Sequence, residues 1–151
     1  MGTINYKHSD YITIGYDCNN FDDEDDFTYY YCDAIFENIQ ALLNQYDFYY
    51  FHVALKPGYY EGFSIDIEFN FSYCLDSWLD RRDAQKEITR IYKTLTRLIN
   101  EYGLCAVSPG WCTHYYNYND TMVKLKQAIK EMRETVNSTP TWAQVQRAGE
   151  Y

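Results

Sequence analysis

Residues 48–70 read FYYFHVALKPGYYEGFSIDIEFN, and this stretch contains the clearest structural signals in the chain. Its two halves, 48–56 and 62–70, are rich in aromatic and β-branched residues and alternate between apolar and polar positions, which is typical of strands. Pro57-Gly58 interrupts the pattern, and the short connection favours an antiparallel hairpin. The stretch therefore predicts two neighbouring strands of one sheet.

The alternation also predicts the register of this hairpin. A shift of one residue would move every side chain to the opposite face, so the register must keep the apolar positions together on the core. The polar face then carries Tyr50, His52 and Ala54 on one strand and Ser64, Asp66 and Glu68 on the other, with His52 opposite Asp66. The predicted apolar pairs are Leu55 with Phe63, Val53 with Ile65, and Phe51 with Ile67.

Apolar residues at three- and four-residue steps, which are typical of helices, flank the hairpin on both sides. Upstream, apolar and polar residues alternate over 11–16 and predict a first strand. The helical pattern of the first helix follows this strand in the chain. Downstream, Asp80 suits the cap of a second helix and Gly103 suits its end. The predicted buried positions are Phe27, Tyr31, Ile35, Ile39, Leu42 and Tyr46 in the first helix and Ala84, Ile88, Ile91, Leu95, Leu98 and Tyr102 in the second.

The end of the chain predicts one more strand at 104–107, an aromatic loop at 111–116 and a last helix starting near Asp120. That helix places Met122, Leu125, Ile129 and Met132 inward. The order β-α-β-β-α-β, with an added C-terminal helix, predicts an α+β protein with a ferredoxin-like sandwich. We expect a single domain over 1–151 whose ends, 1–10 and 137–151, are peripheral.

The five cysteines, Cys18, Cys32, Cys74, Cys105 and Cys112, are odd in number and show no disulfide-framework spacing. The first residues lack the basic and apolar regions of a signal peptide, and no apolar run approaches the roughly 20 residues that span a bilayer. These features predict reduced thiols and a cytoplasmic location, in a bacterial host cell if the resemblance described below holds.

Charge is distributed unevenly along the chain, whose net charge is −9. Residues 1–80 contain 15 acidic and two basic residues, whereas residues 81–151 contain seven acidic and 11 basic residues. Such an asymmetry bears on partners and on electrostatic steering rather than on the fold. Within the second half, Lys86, Arg90, Lys93 and Arg97 form a basic stripe along the second predicted helix.

Cysteine and histidine residues are the first candidates for a chemical function. Cys105, Cys112 and His114, with Cys74 in reserve, lack the tight pairs that structural zinc normally uses. Cys112 and His114 can share one face of an extended segment, but a reactive thiol also needs an electropositive pocket and an oriented base. Asp66 and Glu68 are a further acid pair, which a solvated sheet face explains without catalysis. We expect no catalytic residues, metal or cofactor, and keep a Cys/His-based metal protein or enzyme as an alternative.

Direct nucleic-acid binding is disfavoured, although the predicted strand order is shared with the RNA-recognition fold. Residues 61–69 match the spacing of the first RNA-binding signature of that fold, but Glu61 stands where the signature requires Lys or Arg. The carboxylates of Asp66 and Glu68 would repel phosphate. An acidic surface instead suits a basic protein that handles nucleic acid, because carboxylates are attracted to the same groove.

The predicted contact surface combines acidic residues that steer the partner with aromatic residues that anchor it. The acidic members are Asp22, Asp23, Glu24, Asp25, Asp26, Asp33, Glu37, Asp66 and Glu68. The aromatic members are Tyr29, Tyr30, Tyr59, Tyr60 and Trp111. A homodimer, in which the acidic half of one copy meets the basic stripe of another, is a further alternative.

The turn at 56–63, KPGYYEGF, and the segment 109–112, PGWC, are similar to stretches in small acidic proteins of bacteriophages and other mobile elements. The chain resembles anti-CRISPR and anti-restriction inhibitors in size, acidity and tyrosine content. The resemblance is one of type and carries over no functional residue. It implies a non-enzymatic inhibitor that blocks the nucleic-acid site of a defence nuclease, such as a CRISPR effector, or of its ribonucleoprotein.

Overall fold

The computed structural model describes residues 14–17, 26–57, 62–70, 75, 78–108 and 114–149. Within them the chain is mixed α+β. The strands are β1 (Ile14–Asp17), β2 (Phe51–Pro57), β3 (Gly62–Phe69), β4 (Cys105–Ser108) and β5 (His114–Tyr115). The helices are α1 (Asp26–Asn44), α2 (Trp78–Tyr102), α3 (Tyr118–Ser138) and α4 (Trp142–Gly149).

The strands lie in the order β2-β3-β1-β4-β5, and every neighbouring pair is antiparallel. β1 is therefore central, between β3 and β4, although it comes first in the chain. The sequence predicted a loop at 111–116, but His114 and Tyr115 pair with Ser108 and Val107. That prediction was wrong because two residues are too few to show an alternating pattern.

The hairpin of β2 and β3 is confirmed, and its register differs from the prediction by two residues. Leu55 pairs with Ile65, Val53 with Ile67, and Phe51 with Phe69. A shift of two residues leaves each side chain on its face, because the side-chain period of a strand is two. Alternation therefore cannot distinguish the two registers. In the structure pairing continues to Pro57 and Phe63.

One apolar core lies between the sheet and the helices. The seam predicted for α2 is buried from Ala84 to Leu98, and Tyr102 is half-buried against it. Tyr50, which we placed on the polar strand face, instead precedes β2 and is buried. The other elements bury Ile35, Ile39 and Leu43 in α1, Phe51, Ile65, Ile67 and Phe69 in the hairpin, and Leu125, Ile129 and Met132 in α3.

The predicted ends of α2 are only partly right. The helix begins at Trp78, so Asp80 lies inside the first turn and is not the cap. The Asp80 carboxylate instead accepts a hydrogen bond from the Tyr50 hydroxyl. At the other end Gly103 follows the helix with a φ of 66°, the left-handed conformation that ends many helices, as predicted.

Gly103→Ala is expected to lower the free energy of unfolding by about 1 kcal/mol, because a Cβ is strained at positive φ. A Cβ there would meet no atom within 4 Å, so backbone strain is the only cost we expect. Urea unfolding of the variant measures the loss. Gly103→Asn is the control, since asparagine tolerates this conformation better than alanine. An alanine variant as stable as the parent would contradict the assignment of strain.

The end of the chain is attached to the body of the protein. Asn117 caps α3 by accepting a hydrogen bond from the backbone N–H of Asp120, so the helix starts at Tyr118, close to the predicted start. After α3, Thr139 and Thr141 are buried, and Thr141 forms a parallel bridge with Leu75. No helix in the described part of the chain is long and apolar enough to cross a membrane.

Candidate interaction surface

The structure describes only part of the predicted acidic and aromatic surface. Asp22, Asp23, Glu24, Asp25, Tyr59, Tyr60 and Trp111 lie outside the described residues. Asp26, Tyr29, Tyr30 and Asp33 belong to the first two turns of α1, and their side chains are not described. Glu37 follows on the same helix and is exposed. The placement of the acidic run relative to the sheet therefore stays a prediction.

The carboxylates of Asp66 and Glu68 lie on the same face of β3, as predicted, and both residues are half-buried. The corrected register places Asp66 opposite Ala54 and Glu68 opposite His52, so the predicted pairing of His52 with Asp66 was wrong. The buried neighbours Ile65, Ile67 and Phe69 alternate with them and belong to the core. The two carboxylates therefore lie on the sheet face that points away from the core.

Basic residues occupy the helical side of the molecule. The predicted stripe of Lys86, Arg90, Lys93 and Arg97 is exposed along α2, opposite the buried seam of that helix. Helix α3 adds three exposed lysines, Lys124, Lys126 and Lys130. The helices also carry exposed acidic residues, Glu37 on α1, Glu101 on α2, and Glu131 and Glu134 on α3, so the helical side is of mixed charge around the basic stripe of α2.

Two positions in the basic stripe are held by neighbouring side chains. The Arg90 guanidinium lies 5.5 Å from the ring centroid of Tyr46 and 5.2 Å from that of Phe48, and these two rings stack at 5.6 Å. The Arg97 Nε donates to Glu101 at 3.0 Å. Cation–π contacts of this kind stabilise by roughly 0.5–1 kcal/mol at exposed sites. The two contacts of Arg90 attach the segment after α1, which contains Tyr46 and Phe48, to the surface of α2.

Glu87 is a buried carboxylate that we did not predict. It is 7% exposed and accepts hydrogen bonds from the backbone N–H groups of Tyr49 and Tyr50. Desolvation raises the pKa of Glu87, and the two backbone hydrogen bonds oppose that shift. The sequence contains a signal for it, since Glu87 falls on the buried face of α2, three residues after Ala84 and four before Ile91. The carboxylate joins the start of β2 to α2.

The Tyr50 hydroxyl extends this buried contact. It donates to the carboxylate of Asp80, which lies seven residues before Glu87 on α2. Burial raises the pKa of the Tyr50 phenol, and the hydrogen bond to Asp80 adds to the increase, because both favour the neutral phenol. These hydrogen bonds hold the start of β2 against α2. They also give acceptors to the backbone N–H groups of Tyr49 and Tyr50 and to the Tyr50 hydroxyl. We assign it a structural role.

The cysteine and histidine candidates are not brought together in the described residues. Cys105 is half-buried in β4, His114 is exposed in β5, and Cys74 and Cys112 lie outside the described residues. Within the described residues no group of three or more His, Cys, Asp or Glu side chains is placed to hold a metal ion.

A second polar cluster, also not predicted, lies where β4 and β5 meet α3. The Ser108 Oγ and Tyr116 Oη are 3.0 Å apart and share a hydrogen bond. The Lys124 ammonium lies 4.3 Å from the Tyr116 ring centroid. The His114 ring packs edge-on against the same ring, with centroids 4.3 Å apart. Ser108 and Tyr116 are eight residues apart, so only the pairing of β4 with β5 brings them together.

Comparison of the chain with protein-family models, with curated proteins and with solved structures finds no match.

Proposed function

We propose that this protein is a non-enzymatic inhibitor that binds a basic, nucleic-acid-handling protein and occupies its nucleic-acid site. The observation that carries the proposal is that the carboxylates of Asp66 and Glu68 lie together on the outer sheet face, whereas the basic stripe of α2 lies on the helical side. We expect a basic groove to be attracted to Asp66 and Glu68 and repelled by the basic stripe of α2. The charges thereby orient the encounter as well as strengthen it.

We further propose that the sheet and its two crossing helices form a ferredoxin-like sandwich. The strand order supports this, since β1 lies between β3 and β4 and all neighbouring strands are antiparallel. Helix α1 connects β1 to β2, and α2 connects β3 to β4. In this architecture both helices cover one sheet face, which leaves the other face to a partner. The cytoplasm of a bacterial host is the compartment in which such a partner would be met.

The test is a capture experiment from bacterial lysate at low and moderate salt, followed by competition. The parent is compared with a variant in which Asp66→Asn and Glu68→Gln remove two charges from the sheet face. We expect the parent to capture a nucleic-acid-binding protein and to displace nucleic acid from it. The variant should bind that protein about tenfold more weakly, with a smaller dependence on salt.

The matched control is Glu131→Gln with Glu134→Gln, which removes the same two charges from exposed positions on α3. We expect it to bind like the parent. Equal losses in the two variants would show that net charge, and not the sheet face, governs binding. A partner that binds without competing with nucleic acid would also overturn the proposal.

A second variant tests the acidic run, with Asp22, Asp23, Asp25 and Asp26 each changed to Asn. We expect it to slow association and to flatten the salt dependence while the fold, measured by circular dichroism, is retained. If this variant bound the partner at the parental rate, the acidic run would not be part of the contact surface. Loss of self-association in the parent at high salt, seen by light scattering, would support the homodimer instead.

A further inference from the structure

The cluster around Tyr116 brings together a phenol, an alcohol, an ammonium group and an imidazole from three elements. Ser108 lies in β4, His114 in β5 and Lys124 in α3, and Tyr116 lies between the last two. The Ser108 hydroxyl is within hydrogen-bond distance of the Tyr116 oxygen, and the Lys124 ammonium lies over the ring. Tyr116 thus has both a hydroxyl partner and a cation over its ring.

These contacts favour the ionised form of the phenol. The hydrogen bond with Ser108 lowers the pKa of Tyr116 and outweighs desolvation, which raises it. The charge of Lys124 lowers the pKa further, while Asp120 acts in the opposite direction. The His114 ring faces the Tyr116 ring edge-on from β5. A larger phenolate fraction at neutral pH makes a tyrosine a better nucleophile.

We propose that Tyr116 is a nucleophilic tyrosine and the site at which this protein accepts an electrophilic phosphoryl group. In the reaction Tyr116 Oη forms a bond to phosphorus, and the bond from phosphorus to the leaving group breaks. The leaving group takes the electron pair, and the phenolic proton passes to solvent. The cation of Lys124 favours a phosphoryl donor over a neutral acyl donor, since it stabilises the anionic oxygens of the product.

Exposure alone would predict a different order of reactivity among the tyrosines. Tyr49 is 70% exposed and Tyr118 is 55% exposed, whereas Tyr116 is half-buried. The Tyr118 hydroxyl donates to Asn100. Within the described residues no cation is recorded over either of these two rings. Tyr49 and Tyr118 are therefore internal controls on the same molecule.

The experiment treats the folded protein with a limiting amount of an alkyl fluorophosphonate at neutral pH and locates adducts by peptide mass spectrometry. The phenolate displaces fluoride from phosphorus, as in the reaction above. We expect the adduct on Tyr116 to form about tenfold faster than on Tyr118 or Tyr49. Labelling in the order of exposure, or labelling of Ser108 in place of Tyr116, would overturn the proposal.

Two lysine variants give the matched comparison. Lys124→Gln removes the cation over the ring, and Lys126→Gln removes another exposed cation of α3. We expect Lys124→Gln to reduce the rate at Tyr116 to that of Tyr118, and Lys126→Gln to leave it unchanged. Circular dichroism verifies that both variants fold. Equal rates in the two variants would show that Lys124 does not activate the phenol and would contradict the proposal.

Discussion

Phe51→Ala is expected to lower the free energy of unfolding by about 3–5 kcal/mol, which is the range for removing a fully buried aromatic ring. Phe51 is 2% exposed at the start of β2, and its ring lies 4.9 Å from that of Phe69, its partner across the hairpin. The substitution removes the ring from the core and loses this aromatic contact. Equilibrium unfolding in urea measures the change, with Phe51→Leu as a control that retains most of the volume.

The same substitution tests the register of the hairpin. In a double-mutant cycle, residues in direct contact show coupling free energies of about 0.5–3 kcal/mol. We expect the coupling of Phe51 with Phe69 to exceed that of Phe51 with Ile67, because Phe69 is the direct partner. A stronger coupling with Ile67 would favour the register first predicted from the alternation.

Glu87→Ala is expected to lower the free energy of unfolding by about 2–3 kcal/mol, since it leaves the backbone N–H groups of Tyr49 and Tyr50 without their acceptor. Tyr50 is buried, so water does not readily replace the carboxylate at its N–H. Glu87→Gln keeps one acceptor oxygen and should cost less. The measurement is urea unfolding at a pH near neutrality. An alanine variant as stable as the glutamine variant would show that the two hydrogen bonds do not stabilise the fold.

The pH dependence separates burial from hydrogen bonding at this carboxylate. Because burial raises the pKa of Glu87 above its ordinary value of 4.5, the folded protein holds this proton more tightly than the unfolded chain. This contribution to stability is fully present below pH 4.5 and is lost as the pH rises through the folded pKa. The parent should therefore lose stability relative to Glu87→Gln over that interval. A parent that gains stability relative to Glu87→Gln would show that the two hydrogen bonds outweigh desolvation.

Elements with a long periodic pattern could be predicted from the sequence. The buried seam of α2 recurs over about five turns, from Ala84 to Tyr102, so its burial and the exposure of its basic stripe both follow from the 3.6-residue period. Gly103 and the face of β3 that carries Asp66 were predicted for comparable local reasons. In each case the signal lies within one element and does not depend on a partner distant in the chain.

The parts of the site that depend on distant contacts could not be predicted. The acceptor function of Glu87 requires residues 37 and 38 positions away, and the contact of Ser108 with Tyr116 requires β5, which has two residues. The prediction of the hairpin register was wrong for a different reason. Two registers that differ by two residues place the same side chains on the same faces, so the pattern contains no information that separates them.

The sequence by itself determined the α+β class, the helices, the hairpin, and an excess of acidic residues in the first half of the chain. Those properties follow from composition and from periods of 2 and 3.6 residues, which a chain carries before it folds. Only the tertiary structure decided which residues meet: Phe51 with Phe69, Glu87 with the start of β2, and Lys124 with Tyr116. Such contacts depend on strand order and strand register, because these bring together residues whose separation in the chain has no characteristic period.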